Sequence, residues 1–431
     1  MNKKIETMKI LGVAMLLCCS MQAIVQAQST DSVFNSHRVF QLSLCYPVGT
    51  NGVESYKYTN SLSYNALLGY NKGVKGVEIG CFANTVTNDV QGLQIAGFSN
   101  VVLGSSQACQ IAGFSNVTKK YSRGIQIAGF SNIVTDSSKS VHLAGCSNVI
   151  IGALKGVSIS GFSNVVFDTL QGMQIAGFSN VVKGSVSGGH IAGFANVSNN
   201  SVQGFQIAGF TNVCSDSVQG IQLAGFSNIS TSKLQGIQIS GGVNLAQTLH
   251  GVQLGIVNIS DSIAGGIPIG FFSYARNGYH AVDISADASQ HIQISFSTGV
   301  PAFYNVFSAG MYINTANPIA TVGYGVGTMK RINDKFDVAA ELLSQSLITN
   351  TWYVDYSYSL HTASLQCVYG FTDKIKVFGG LQYNVFTAYG SPDEQSHLVD
   401  DILSFKPYTL NYSTHSVSMY PGAKLGLRIT Y

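Results

Sequence analysis

Side chains able to do chemistry are few and dispersed along this 431-residue chain. His142 and His190 occupy one repeated position, three periods apart. Stacked β coils would put them about 14 Å from one another, too far to share a metal ion, so they read as outward polar substitutions. The glycine-rich runs invite a phosphate-cradling loop, but no Gly-Lys-Ser/Thr follows a strand and the glycines recur at fixed spacing. Structural punctuation is the favoured reading. Glu78, Asp89, Asp136, Asp168 and Asp216 are scattered, whereas a polysaccharide-cleaving β-helix enzyme needs carboxylates clustered on one face. Asp393, Glu394, Asp400 and Asp401 form the only acidic cluster, near Pro392. Calcium binding is one reading of it and a solvated loop the favoured one. No Ser/His/Asp or Cys/His arrangement is supported. The chain is therefore read as a non-enzyme, with no catalytic, cofactor-binding or metal-ligating residues.

Two polar columns need an explanation. Gln94 and its equivalents 110, 126, 174, 206, 222, 238 and 253 would stack into a polar stripe able to bind a repetitive partner such as a glycan. The favoured alternative is a ladder of amides satisfying one another. The asparagines equivalent to Asn100 read as coil corners, because Asn tolerates left-handed backbone angles. Cys81, Cys109, Cys146 and Cys214 fall in separate copies. The nearest pair is about 10 Å apart along a stack, beyond disulfide reach, so free thiols replacing core or bend residues are expected.

What positions these residues is a repeat. Gly92-Leu93-Gln94-Ile95-Ala96-Gly97-Phe98-Ser99-Asn100-Val101 returns nearly unchanged at 124, 172 and 220, and the asparagines from Asn84 to Asn244 are spaced by sixteen without exception. Asn258 follows after fourteen, and 265–272 is a degenerate last copy. A fixed period over twelve copies means stacked units. The alternation of Leu93 and Ile95 with Gln94 is β-type, and no proline lies between Pro47 and Pro268 to interrupt a hydrogen-bond ladder. The expected fold is all-β: a parallel β-solenoid of sixteen-residue coils over 74–273, about 53 Å long. Leu93, Ile95, Phe98 and Val101 are expected to point inward. Gly97 and its equivalents, Gly161 among them, are expected at a bend requiring unusual backbone angles. A lone coil cannot fold; neighbours must supply its ladder.

The flanks follow another pattern. Twenty of the 21 tyrosines and the single tryptophan lie outside 74–272. Phe40, Leu42, Leu44 and Tyr46 alternate with polar neighbours, as do Leu62, Tyr64, Ala66, Leu68 and Tyr70. So do Trp352, Val354, Tyr356, Tyr358 and Leu360, and then Ile375, Val377, Leu381, Tyr383 and Val385. The chain stops on an alternating strand with a terminal aromatic, Leu425 to Tyr431. Aromatic-rich alternating segments suggest an antiparallel, outer-membrane-type β-barrel over 274–431, with the segment 28–73 supplying further strands. Leu425, Leu427, Ile429 and Tyr431 would face lipid. Arg428 would face the lumen, where serine is expected to be tolerated.

Residues 1–27 read as a signal peptide: Lys3, Lys4 and Lys9, an apolar stretch from Ile10 to Leu17, and a small-residue cleavage site ending at Ala27. Leu17 is bulky where a lipobox before Cys18 wants a small residue, so lipidation is disfavoured. Removing this segment leaves 20 basic and 19 acidic residues, so no nucleic-acid footprint exists.

The tandem Gly-x-Gln-Ile-Ala-Gly-Phe-Ser-Asn unit resembles the short surface repeats of spirochaete and Bacteroidetes-type envelope proteins. The run Tyr58 to Gly69 resembles the segment leading into those repeats. The resemblance covers 38–275 well and the C-terminal third in style. It implies a surface or outer-membrane location in a Gram-negative cell and supplies no catalytic residues. The expected function is structural, display or adhesive, with outer-membrane lipid and a glycan or host-surface ligand as partners. A small-solute pore and a secreted polysaccharide-acting enzyme are the rivals.

Overall fold

Each sixteen-residue period forms one coil of two strands. In a representative coil, Leu170–Ala176 is followed by the corner Gly177-Phe178, then Ser179–Val182, then a turn. Long strands pair in parallel with the equivalent strand one period on (Leu170 with Val186, Ile175 with Ile191), and short strands do likewise (Asn180 with Asn196). The result is a parallel β-solenoid of about 14 turns. The computed structural model describes residues 36–289, 291–313, 319–348, 358–389, 402, 407–412 and 414–431. The stretch 1–27 read as a signal peptide, Trp352, Val354, Tyr356 and the acidic cluster Asp393, Glu394, Asp400 and Asp401 lie outside the described residues.

The solenoid interior is the reverse of the one expected. Gln94, Asn100, Val90 and Val102 are fully buried, whereas Ile95 and Leu93 are only half-buried and Phe98 is exposed. The apolar core consists of the Val90 and Val102 columns, for example Val134, Ile150, Leu154, Val166, Leu170 and Val182. Period two defines two faces but not which one is inside. Here the amide-bearing face goes in because every asparagine of the column, and every glutamine but Gln174, finds a partner one coil away, which offsets the desolvation cost of burying it.

The glycine expectation changes in detail. Positive φ occurs at the Gly92 column (Gly172 at 137°), inside the long strand, not at the Gly97 column. The corner glycines are required by close approach instead: a Cβ on Gly161 would lie 2.2 Å from the carbonyl oxygen of Gly145 one coil below.

Residues 38–70 do not join the barrel. His37–Cys45 pairs in parallel with Thr59–Asn71, which pairs in parallel with the first repeat strands. The alternation that suggested barrel strands is genuine, with Gln41 and Ser43 buried and Phe40, Leu42 and Leu44 exposed. A solenoid strand with an apolar outer face has the same signature.

The C-terminal part is a closed antiparallel barrel of eight strands. They run from Tyr279–Asp287 to His415–Thr430, which pair with each other and close it, Ala281 facing Thr430. A short strand, Tyr408–Asn411, adds to the outer half of the last. Alternation again places polar groups inside: His291, Gln293, Ser295 and Ser297 are buried, while Ile292 and Ile294 are exposed.

The last coil docks on the outer wall of the barrel. Its free edge groups are taken by outward side chains: Asn305 Oδ1 accepts from Ser273 N (3.0 Å), Asn305 Nδ2 donates to Gly270 O (2.6 Å), and Thr298 Oγ1 donates to Ser273 O (2.9 Å). Phe271 stacks on Tyr324 at 4.6 Å and meets Phe307 edge-on at 5.7 Å. The parallel sheet therefore does not end on an unpaired edge, the usual liability of such stacks.

Candidate functional site: the amide ladders and the barrel interior

The asparagine column is a continuous internal ladder, not a row of corners. Asn164 Nδ2 donates to Asn180 Oδ1 of the next coil (2.9 Å) and to the Ile175 carbonyl (2.8 Å), and the pattern repeats from Asn84 to Asn244. Each asparagine sits in an extended strand and ties its short strand to the corner of the following coil. Asn258 ends the series against Ser273.

The glutamine column forms two directional runs. Gln253 donates to Gln238 (2.8 Å), Gln238 to Gln222 (2.6 Å) and Gln222 to Gln206 (2.7 Å). Gln126 donates to Gln110 (2.6 Å), Gln110 to Gln94 (2.7 Å) and Gln94 to the carboxylate of Glu78 (2.8 Å). The column is buried, so the ligand-binding stripe is excluded and the self-satisfied ladder stands. Between the runs lie His142, Ser158, Gln174 and His190. His142 and His190 are fully buried rather than outward, and desolvation pushes their imidazoles down to about 4 and about 3. His142 Nε2 meets Ser138 Oγ at 2.8 Å, while the side chains of Gln174 and His190 have no protein hydrogen-bond partner.

Glu78 is the one buried charge-bearing group of the solenoid. Burial pushes its carboxyl up to about 7, against the pull of amide donors from Gln94, Asn65 and Asn71. The other repeat carboxylates stay at the surface, and three of them accept backbone N–H bonds in turns: Asp89 from Ser105, Asp136 from Ser137 and Asp168 from Thr169. Those bonds account for their presence. The six cysteines of the described residues are free thiols. Only Cys214 is buried; Cys109 and Cys146 stand in outward columns.

Inside the barrel, Arg428 is the hub. It gives Asp283 two hydrogen bonds, 2.8 Å from Nε and 2.7 Å from Nη2, and reaches Glu341 Oε1 at 3.1 Å. Tyr304 Oη donates to Glu341 (3.0 Å), Gln366 Nε2 donates to the same carboxylate (2.8 Å), and the guanidinium lies 5.0 Å from the Phe378 ring centre. Lys376 pairs with Asp337 at 2.7 Å nearby. A cavity of about 20 Å³ remains beside this network, bordered by Asp287, His291, Gln293 and Lys424. Sequence reasoning placed Arg428 on the inner face but missed its partners. Asp283 and Glu341 lie far away in the chain, and only barrel closure brings them to it. Replacement by serine would strand two buried carboxylates, so the expected tolerance does not hold.

Among the described residues no group of three or more His, Cys, Asp or Glu side chains could hold a metal. Compared with known protein families, curated proteins and solved structures, the chain matches none.

Proposed function

We propose that this chain is an exported, non-enzymatic outer-membrane protein of a Gram-negative cell, in which the barrel is the lipid anchor and the solenoid a rigid structural rod. The observation carrying this reading is the inverted barrel: Arg428, Asp283 and Glu341 are buried inside while Leu342, Leu365, Leu381 and Leu425 are at least 59% exposed outside. An apolar outer belt over a polar interior suits hydrocarbon and is costly in water. The basic and apolar order of residues 1–27 supports export. Burial of the glutamine column removes the stripe on which an adhesive, glycan-binding role depended, leaving the structural role as the better supported one.

The pore reading loses support because an eight-stranded barrel is only wide enough for side chains, and here Arg428, Tyr304 and Phe378 fill it. The test is co-fractionation of the wild-type chain with an outer-membrane marker, together with a heat-modifiable gel shift. Recovery of the whole mature chain as a soluble protein would overturn the proposal.

A further inference from the structure

Four outward columns of the solenoid, those of Leu93, Ile95, Phe98 and Val101, contain no charged residue from Val77 to Tyr274. Every charged side chain of the coils between Val74 and Ile263 other than buried Glu78 lies at the opposite edge. These charges sit in the turn after the short strand and the first residues of the long one, Lys155, Asp168 and Lys183 being examples. The Phe98 column forms the rim of the uncharged side. Its rings stack at 4.9–5.0 Å, as from Phe162 through Phe226, and remain about half-exposed (Phe162 53%, Phe178 42%). The rod is thus a blade about 60 Å long, uncharged on both faces near one rim, with a column of serines beside the phenylalanines on the short-strand face, and charged at the other. Its main chain is already hydrogen-bonded from coil to coil, the condition any structure must meet to enter hydrocarbon.

Two features of the barrel junction indicate what covers the blade. Phe271, the last member of the Phe98 column, packs directly on Phe307 and Tyr324 of the outer barrel wall, so the two apolar surfaces are continuous. The free edge groups of the last coil point along the rod axis, and they bond outward side chains, which point along the wall normal. The rod therefore leaves the barrel sideways, roughly in the plane a membrane would occupy around it. From the Leu93 column to the rim the uncharged zone is about 12–15 Å deep, close to the hydrocarbon depth of one leaflet, half of about 30 Å.

We propose that the phenylalanine rim of the solenoid is a lipid-contacting edge, immersed in one leaflet beside the barrel with its charged edge in water. This rests on the outer-membrane reading of the barrel. The test uses the full mature chain in phosphatidylcholine vesicles, with or without brominated acyl chains, in a Trp352→Phe background that silences the sole native tryptophan. Single tryptophans are introduced by Phe178→Trp or Phe210→Trp at the rim, Lys155→Trp at the charged edge, or Leu381→Trp on the barrel wall, with circular dichroism checking the fold. Brominated lipid should remove most of the emission of the rim and barrel variants and leave that of the Lys155→Trp variant. If the Leu381→Trp variant is quenched while both rim variants keep their emission, the rod is outside the bilayer and the inference is overturned. A chain that also sediments as a dimer would then assign the rim to a second copy. If the Leu381→Trp variant itself escapes quenching, the outer-membrane reading fails and takes the inference with it.

Discussion

Gln94 donates its side-chain amide to Glu78 across 2.8 Å, and with that bond the first glutamine run ends on an acceptor. Every glutamine in the run donates toward the N-terminus, and Gln110 and Gln94 each accept from the glutamine on the C-terminal side. Asn65 and Asn71 also donate to Glu78. A carboxylate fits this terminus because it has two acceptor oxygens and no N–H to oppose three donors.

The Glu78 carboxyl rises from its ordinary 4.5 to about 7, burial outweighing the donors. The folded chain keeps a proton that the unfolded chain releases. Its contribution to stability is full below about 4.5, falls as pH rises to about 7 and is flat above. The whole difference is about 3 kcal/mol at 1.4 kcal/mol per pH unit. Glu78→Gln should therefore change unfolding stability, relative to wild type, in a pH-dependent way: less favourably at pH about 4.5 than at pH about 8. Urea titrations of the mature chain in detergent micelles measure this. A difference between the two proteins that is constant with pH would show that Glu78 does not carry the linkage.

His190 acts with the opposite sign. Desolvation pushes it from 6.5 down to about 3, so it stays neutral in the fold while the unfolded chain binds a proton below 6.5. Its contribution is present above 6.5 and declines on acidification toward about 3, by about 1.4 kcal/mol per pH unit. His190→Gln restores the column chemistry between Gln174 and Gln206. It should add about 1 kcal/mol per hydrogen bond formed at neutral pH and gain further ground as pH drops to 5. Loss of stability at pH 5 relative to wild type would contradict this account.

At the corner, Gly161→Val should prevent folding of the stack. Even a Cβ at this position lies 2.2 Å from the Gly145 carbonyl oxygen, and two backbones held by a ladder on both sides cannot separate locally. Gly161→Ala should already cost several kcal/mol, in the range reserved for steric strain in a packed structure. Lys155→Ala, on the exposed charged edge, should change stability by less than about 0.5 kcal/mol. Thermal unfolding followed by circular dichroism ranks the three, and equal behaviour of Gly161→Ala and Lys155→Ala would refute the close-approach argument.

Much of the architecture was legible in the chain. The sixteen-residue spacing of Asn84 to Asn244 fixed the coil, and the alternation after Tyr279 fixed the barrel type. The inside of the coil was not legible from hydrophobicity alone, because Ile95 and Phe98 are the more apolar column and Gln94 the more polar one. The asparagine column was the better signal. An amide kept in every copy from Asn84 to Asn258 is what a buried ladder demands, whereas the outward Leu93 column wanders through Cys109, Met173, Gly189 and Phe205. The strands at 38–70 were misassigned because an apolar-out solenoid strand and an apolar-out barrel strand share one pattern. Only pairing partners separate them. The Arg428 network was hidden for a related reason: Asp283 is 145 residues away.

Arg428 sits at the centre of that network, so Arg428→Ser should cost about 3–5 kcal/mol, the range for breaking a buried ion pair from one side. Leu427→Arg puts charge on the opposite, outward face, where, on the outer-membrane reading, a mid-bilayer arginine costs about 2–4 kcal/mol. Both variants should lower the yield of the folded, heat-modifiable species. Only Leu427→Arg should depend on lipid, recovering in a short-chain detergent that allows the guanidinium to reach water. If Arg428→Ser assembles at wild-type yield, the buried contacts around it contribute nothing to barrel folding.

On the outer-membrane reading, the strand connections predict which side of the membrane carries the rod. At the end of the barrel where Tyr279 begins and Thr430 finishes, connections are two residues between Val300 and Phe303, four between Arg331 and Phe336, and four between Gly370 and Ile375. At the other end they are three between Asp287 and His291, six between Tyr312 and Ile319, nine between Ile348 and Tyr358, and 25 between Tyr389 and His415, the short strand Tyr408–Asn411 among them. Outer-membrane barrels turn tightly on the periplasmic side and carry longer loops outside. The rod attaches near the tight end, at His280, Thr298 and Asn305, so its charged edge should face the periplasm. An epitope inserted after Lys183, in an exposed turn where repeat stacks tolerate insertions, should be invisible to antibody on intact cells and appear after outer-membrane permeabilisation. The same epitope placed in the connection following Ile348 should be seen on intact cells. Detection of the Lys183 epitope without permeabilisation would place the rod on the cell exterior and reverse the orientation.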